Sequence, residues 1–282
     1  MKCYVCGSQD SKNRNGKCRD NDGIKILECM DCGLVYLSDF SHITEKFYEE
    51  NGQAKSNKKT KIFNSISSID TQRRFEQFAL KLANKRVLDF GCGEGEFLSK
   101  LQDENITQNL FSLEINKEYS YALNKQFDHF DSIDEVPDNS LDYITMFHVV
   151  EHLPDPVCIL NKLYEKLKIG GRIIIEVPSS DDILIKTYKN QAFQDFTYWS
   201  CHLYLFNLYT LGKLIDKSLF KVDYIKQYQR YSLANHLYWL SKGMPSGHIK
   251  YAFLEDYTLN QEYSKKLAEL GQCDTIIAEI IK

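Results

Sequence analysis

Five of the nine cysteines fall within the first 32 residues, and four of these are paired as Cys3-x-x-Cys6 and Cys29-x-x-Cys32. A glycine follows each pair, at Gly7 and Gly33, where a small residue lets the backbone turn tightly around a metal-bound thiolate. Two such knuckles supply four thiolates, a closed tetrahedral set suited to structural zinc. With every position filled by protein there is no place for water, so the ion is not a catalytic one. The rival reading, a redox pair, goes with a βαβ setting, whereas this segment is polar, with Gly, Asn and Asp in its middle. Cys18 is surplus and is left out of the site. So short a segment has little core of its own, and metal binding is expected to supply its folding energy.

A second constellation starts at Arg86 and reads RVLDFGCGEGEFLSKL. Val87, Leu88 and Phe90 suit a short buried strand. Gly91, Gly93 and Gly95 follow at alternate positions, and Phe97, Leu98 and Leu101 then recur at helical spacing. Strand, Gly-rich turn and helix open a doubly wound nucleotide-binding domain. The dinucleotide fingerprint fails, because Glu96 stands where its third glycine belongs. The carboxylates of Asp89, Glu94 and Glu96 repel a pyrophosphate, and no Gly-Lys-Ser/Thr triplet makes a Walker loop. They welcome a cation, and S-adenosylmethionine carries an ammonium and a sulfonium but no phosphate. Asp89 is expected to orient the ammonium, while the three glycines let the backbone approach the methionine portion. Glu114, 25 residues further on, ends a second strand over 109–115 and suits the two ribose hydroxyls. Ser132 and Ile133, within a third strand and its exit over 127–136, are assigned to the adenine. Phe147 ends the fourth strand, Leu141–Phe147, and is assigned to the cofactor side.

Other elements must hold these residues in place. Asp155-Pro156 gives an N-cap and a proline at the first helical position, and Val157, Leu160, Leu163, Tyr164 and Leu167 share one helical face. Gly170-Gly171 turns into a buried strand over 172–177, stopped by Pro178. A sixth strand is predicted over 221–227 and a last one over Thr275–Ile281. Between 44 and 84, Ile62, Ile66, Ile69, Phe75, Phe78, Ala79 and Leu82 predict helices that cover the cofactor mouth and dock the zinc module. Arg73-Arg74 reads as a surface pair, and the charge run over 56–61 as solvated. The insertion over 232–272 is apolar and aromatic, as a core segment, a dimer face or a substrate lid would be.

The series VLDFGCGEG, Glu114, LDYITMFHVVEHLPDP and LKIGGRIIIEVP resembles the successive motifs of class I S-adenosylmethionine-dependent methyltransferases, over roughly residues 84–282. The resemblance implies an α/β fold with a doubly wound, seven-stranded sheet whose last strand is antiparallel. The leader CYVCG…CMDCGLVYL, followed by FYEE, resembles the zinc-binding leader fused to many bacterial methyltransferases. Some of those methylate nucleotide-linked sugars or act in surface-polysaccharide clusters. The segment His202-Leu-Tyr-Leu-Phe206-Asn207 is similar to the H-x-x-x-F-S segment of the sugar methyltransferases. Cys201 stands where their pattern often has Glu, which implies O- or N-methylation rather than C-methylation. The expected organisation is a zinc-binding module over 1–40, a helical link over 41–84 and a methyltransferase domain over 85–282.

His202 is the first candidate general base, since an imidazole near neutral pKa suits removal of an acceptor proton. The plainer alternative is a satisfied, half-buried histidine. His148 is the second candidate, on the methionine or substrate side. His148-x-x-Glu151-His152 matches an inverted zinc-protease pattern and is similar to E-x-x-E-H in ubiquinone-pathway O-methyltransferases. Pro154 and Pro156 cut short the helix that a protease needs. Arg230 and Tyr231 end the sixth strand, on the side where doubly wound sheets open their ligand crevice. They are the expected substrate-binding residues for an anionic or sugar-nucleotide acceptor, the alternative being that Arg230 lies at the surface.

The 282 residues carry a formal net charge of −4, which argues against a nucleic-acid partner. An RNA methyltransferase that uses its zinc module for RNA, and a non-catalytic zinc-containing partner protein, are the rival functions. No run of about 20 apolar residues is present, and the first residues lack an apolar signal region. A cytoplasmic protein without membrane contact is expected.

Overall fold

A computed structural model describes residues 1–44, 47 and 61–282. The start of the expected helical link, with most of the 56–61 charge run and of the FYEE motif, lies outside these residues.

Two sheets organise the chain. The leader contributes three antiparallel strands, β1 (Ser11–Asn13), β2 (Ile26–Cys29) and β3 (Val35–Leu37). Helix α1 (Lys61–Leu82) follows. The main domain then alternates strand and helix: β4 (Val87–Phe90), α2 (Glu96–Asp103), β5 (Leu110–Leu113), α3 (Lys117–Leu123), β6 (Asp128–Phe130), β7 (Leu141–Phe147), α4 (Pro156–Lys166) and β8 (Leu167–Pro178). After α5 (Ile183–Lys186) and α6 (Gln191–Thr197) comes β9 (Tyr204–Leu205), then α7 (Leu208–Ile215) and β10 (Lys221–Tyr228). The insertion forms α8 (Leu233–Lys242), α9 (Gly247–Lys250) and α10 (Tyr257–Leu270) before β11 (Thr275–Ile281).

The large sheet has seven strands in the order β10-β11-β8-β7-β4-β5-β6. Strand β11 runs antiparallel to both neighbours, while β8, β7, β4, β5 and β6 pair in parallel. This is the α/β sheet expected from the sequence, with its antiparallel last strand in the expected place. Three boundaries differ. The third strand shrinks to Asp128–Phe130, the second to Leu110–Leu113, and β8 takes in Gly170 and Gly171 rather than beginning after them.

Side-chain alternation along β8 divides the core. Ile173, Ile175 and Val177 pack with Leu211, Leu214 and Ile215 of α7 on one face; Ile174 packs with Phe78, Leu82, Phe97 and Leu98 on the other. Both faces are covered, as a parallel sheet requires.

The leader joins the first of these cores. Cys3, Val5, Leu34, Val35 and Leu37 belong to the same apolar cluster as Leu203, Leu205 and Phe206. Strand β3 pairs with β9 through Val35↔Leu205 and Tyr36↔Tyr204, which makes the small sheet four-stranded. Arg14 ties the joint, donating to the Tyr198 hydroxyl at 2.9 Å and to the Ser180 carbonyl at 2.7 Å.

Candidate functional site

The four paired cysteines come together as the spacing predicts. Their sulfurs all lie within 4.8 Å of one another, with Cys3–Cys32 and Cys6–Cys29 both at 3.5 Å. Zinc bonded at about 2.3 Å places tetrahedral sulfurs about 3.8 Å apart, so the donor set fits that ion. Gly7 and Gly33 share a φ of +77°, and their amides close matching turns onto the Cys3 and Cys29 carbonyls. Cys18 stays outside the cluster, buried, with its thiol on Asp20 at 3.2 Å.

The second constellation sits at the carboxyl ends of β4, β5 and β7. Gly91, Gly93 and Gly95 all have positive φ, at +73°, +57° and +75°. A Cβ on Gly91 would meet Val149 Cγ2 at 2.7 Å, whereas one on Gly93 meets nothing within 4 Å. Open space therefore lies over the middle of the loop, where backbone can approach a ligand. The Gly93 amide donates to Glu114 Oε2 at 2.9 Å, and the Asn116 amide donates to Glu114 Oε1 at 2.8 Å. Asp89 is buried and accepts from the Thr145 hydroxyl at 2.6 Å. Burial, reinforced by the Glu114 charge, pushes Asp89 up to about 6, and burial also raises Glu114. A buried and a half-buried carboxylate beside an open loop favour a cation and fit the ammonium and ribose of S-adenosylmethionine. Glu94 and Glu96 are both exposed, and Glu96 accepts from Thr71 of α1 at 3.2 Å.

The expected adenine residues follow β6, which pairs with β5. Ser132 is half-buried and extended, just before a single 3-10 turn, and Ile133 packs into the core. Phe147, expected to face the cofactor, has other partners. It stacks on Phe78 of α1 with centroids 5.9 Å apart and meets Phe97 edge-on at 5.1 Å, with the Arg74 guanidinium 4.5 Å above its ring.

Arg73 and Arg74 are not a surface pair. Both side chains are turned inward and both ion-pair with Glu176, which is wholly buried in β8. Arg74 Nη2 reaches Glu176 Oε1 at 2.6 Å. Against the cost of burial, Arg74, His148 and Arg73 hold Glu176 well below the usual carboxylate range. Helix α1 is thereby fastened over the site.

Arg230 is likewise committed within the protein rather than free for a substrate anion. Its Nε donates to Asp70 of α1 at 3.0 Å, Nη2 pairs with the same carboxylate, and Nη1 lies 2.9 Å from His148 Nε2. Tyr231 is half-buried beside it, its amide donating to Asp274 at 3.0 Å. Against burial, Arg230 holds Asp70 down at about 2.

His148 terminates β7 with φ +56°, a left-handed backbone that a histidine adopts rarely and at some cost. Its Nδ1 is 3.1 Å from Glu151 and its Nε2 is 3.3 Å from Glu176. Burial and Arg230 oppose a charge on the ring, but the two carboxylates carry its pKa above the ordinary value.

His202 does not have the near-neutral pKa expected of a base. Burial and the neighbouring His152 push it down to about 3, which leaves a weak proton acceptor. Its ring lies 4.8 Å from that of His152 and 5.7 Å from that of Trp199.

Sequence reasoning missed Asp70, the inward arginines and Glu176. One signal was present: a lone glutamate inside the apolar run RIIIEV needs a cationic partner if both faces of the strand are covered.

A family model described as a methyltransferase domain matches residues 63–224. A ubiquinone biosynthesis O-methyltransferase of Hydrogenovibrio crunogenus is 27% identical over 149 residues, which cover 48% of this chain and 56% of that protein. The match thus spans little more than half of that relative's length. A demethylmenaquinone methyltransferase of Oceanobacillus iheyensis is 25% identical over 181 residues, 58% of this chain and 71% of its own. Among solved structures, a SAM-dependent methyltransferase of Archaeoglobus fulgidus superposes with a TM-score of 0.53 at 21% identity, covering 76% of this chain and 94% of that one. A Thermotoga maritima SAM-dependent methyltransferase, described as a possible histamine N-methyltransferase, gives 0.54 at 18% identity, covering 85% and 100%. These superpositions support the fold.

Proposed function

The chain belongs to the methyltransferase-domain family and is a class I S-adenosylmethionine-dependent methyltransferase, and from that premise we propose that it methylates an oxygen or nitrogen of a small-molecule acceptor, a sugar or nucleotide-linked sugar of surface-polysaccharide biosynthesis. The observation that carries the reading is the pair of acids, buried Asp89 and half-buried Glu114, beside a glycine loop with open space above it.

When bound, S-adenosylmethionine supplies the methyl carbon and the sulfonium leaving group. Asp89 holds the ammonium end, Glu114 the ribose hydroxyls, and Gly91, Gly93 and Gly95 admit the methionine portion. Ser132 and Ile133 border the adenine. Helix α1, fastened by Arg73, Arg74 and Asp70, keeps water away from the mouth, so that alignment and desolvation do most of the work. His148, at the carboxyl end of β7, takes the acceptor proton in preference to His202 once its Nε2 exchanges the Arg230 guanidinium for the acceptor. Four cysteine thiolates hold a structural zinc ion that fixes the leader.

The sugar class is supported by the join between leader and catalytic domain. The two segments that are similar to those of sugar methyltransferases, the cysteine leader and the stretch from His202, are paired through β3 and β9. The names of the bacterial relatives favour a second acceptor, a ring hydroxyl of a quinone precursor. A turnover screen over nucleotide sugars, phenolic quinone precursors and RNA separates these. Turnover confined to nucleotide sugars supports the reading; turnover confined to phenols or RNA replaces it.

A further inference from the structure

Glu151, which meets His148, also neighbours a second group of donors. His152, Cys201 and His202 offer two imidazoles and a thiol whose donor atoms all lie within 4.8 Å of one another. The fold brings them together from two places. His152 ends the 3-10 turn after β7, and Cys201 lies 49 residues further on. The Leu203 amide, donating to the Glu151 carbonyl at 2.8 Å, locks the two segments in register. We infer that this group is a second metal site, separate from the four-cysteine cluster, which takes a divalent ion of the zinc type.

The orientation of His152 suits a ligand. Its Nδ1 is 2.7 Å from the Cys201 carbonyl. A carbonyl only accepts, so Nδ1 carries the proton and Nε2 keeps its lone pair. Metal-bound histidines are held in this way, by a hydrogen bond from the nitrogen that does not bind.

Glu151 adds an independent observation. Its carboxylate is wholly buried, and Oε2 has no hydrogen-bond partner among the described residues. Oε1 lies 4.0 Å from His152 Nε2. A buried carboxylate with an unsatisfied oxygen is costly, and a cation held by the neighbouring His152 lowers that cost through its charge.

The donor types complete the case. Two imidazoles and a thiolate are the borderline-soft set that zinc prefers, and three protein ligands leave a fourth position open. Tetrahedral zinc needs such donors about 3.6 Å apart, so side-chain torsions must draw the widest pair together by roughly 1 Å. An ion with that open position lowers the pKa of a hydroxyl bound to it. This role rests on the acceptor chemistry proposed above; the metal site itself does not.

The test is the metal content of the full chain after zinc loading and desalting, compared with His202→Gln and Cys201→Ser, with folding checked by circular dichroism. The expected result is a loss of one zinc per chain in each folded variant. Unchanged content in a folded variant overturns the proposal. Should both variants misfold, X-ray absorption of the zinc-loaded wild type decides. Imidazole scattering supports the site, because the other cluster has only sulfur ligands, and an all-sulfur shell overturns it. Neither readout depends on methyl transfer, so the two proposals fail separately.

Discussion

Asp70 of α1 and Arg230, just beyond β10, lie 160 residues apart in sequence and form an inward ion pair that ties the covering helix to the end of the large sheet. Removing the carboxylate leaves Arg230 buried without its main counter-charge. Asp70→Asn is expected to cost about 3–5 kcal/mol, read from the shift in denaturant midpoint. Adding Arg230→Met to that variant should recover much of the loss.

The same pair sets an acid limit. Asp70 is depressed to about 2 in the fold, against an ordinary value of about 3.9. Its contribution is therefore complete above roughly pH 4 and is lost as the pH falls through about 2. Acid titration of hydrogen exchange in α1 should show protection retained at pH 5 and lost as the pH falls through about 2 in the wild type, with the Asp70→Asn variant already unprotected at pH 5.

Cofactor affinity has a different pH dependence. Asp89 is raised to about 6, so its charged form, the one that attracts an ammonium, is lost as the pH falls through that value. Calorimetric affinity for S-adenosylmethionine should weaken from pH 7.5 to pH 5 by about tenfold, the factor expected one unit below the pKa. Asp89→Asn should bind weakly and without this dependence.

Gly91 and Gly93 should respond differently to alanine. Both have positive φ, but only at Gly91 does the new Cβ strike a neighbour, Val149 at 2.7 Å. Gly91→Ala is expected to lower stability by about 2 kcal/mol or more, from backbone strain and overpacking together. Gly93→Ala should cost about 1 kcal/mol while weakening cofactor binding at least as much, since its methyl enters the open space above the loop. Thermal melts and calorimetry on the same samples separate the two effects.

Stripping the proposed zinc should disturb more than the leader. The Leu37 amide donates to Leu203, and β3 pairs with β9, so the cysteine cluster supports part of the catalytic domain. Strong chelation is expected to lower the melting temperature by roughly 5 °C or more. Hydrogen exchange should rise in β1–β3 and in 203–206 together. A rise limited to the leader would contradict the coupling.

The legible parts of the fold are those whose signal is local. Apolar runs marked Leu141–Phe147 and Thr275–Ile281 because both faces of those strands are covered. The glycine loop and the cysteine knuckles were legible because each needs particular residues at fixed short spacing. Arg73 and Arg74 misled because adjacent arginines in a polar helix look solvated, and their partner Glu176 lies about a hundred residues away. The two-residue strand β9 has no periodicity to read, so its pairing with the leader emerges only from the tertiary structure. The pKa of His202 was hidden for a related reason: it depends on His152, which the chain brings alongside from fifty residues earlier.

The proposed role of Asp89, Glu114 and the glycine loop is to bind S-adenosylmethionine for methyl transfer. Titration calorimetry with S-adenosylmethionine at pH 7.5 tests it most directly. One site per chain is expected, with affinity reduced tenfold or more, about 1.4 kcal/mol, in both Asp89→Asn and Glu114→Gln. Absence of binding to the folded wild type, or unchanged binding in both variants, would contradict it.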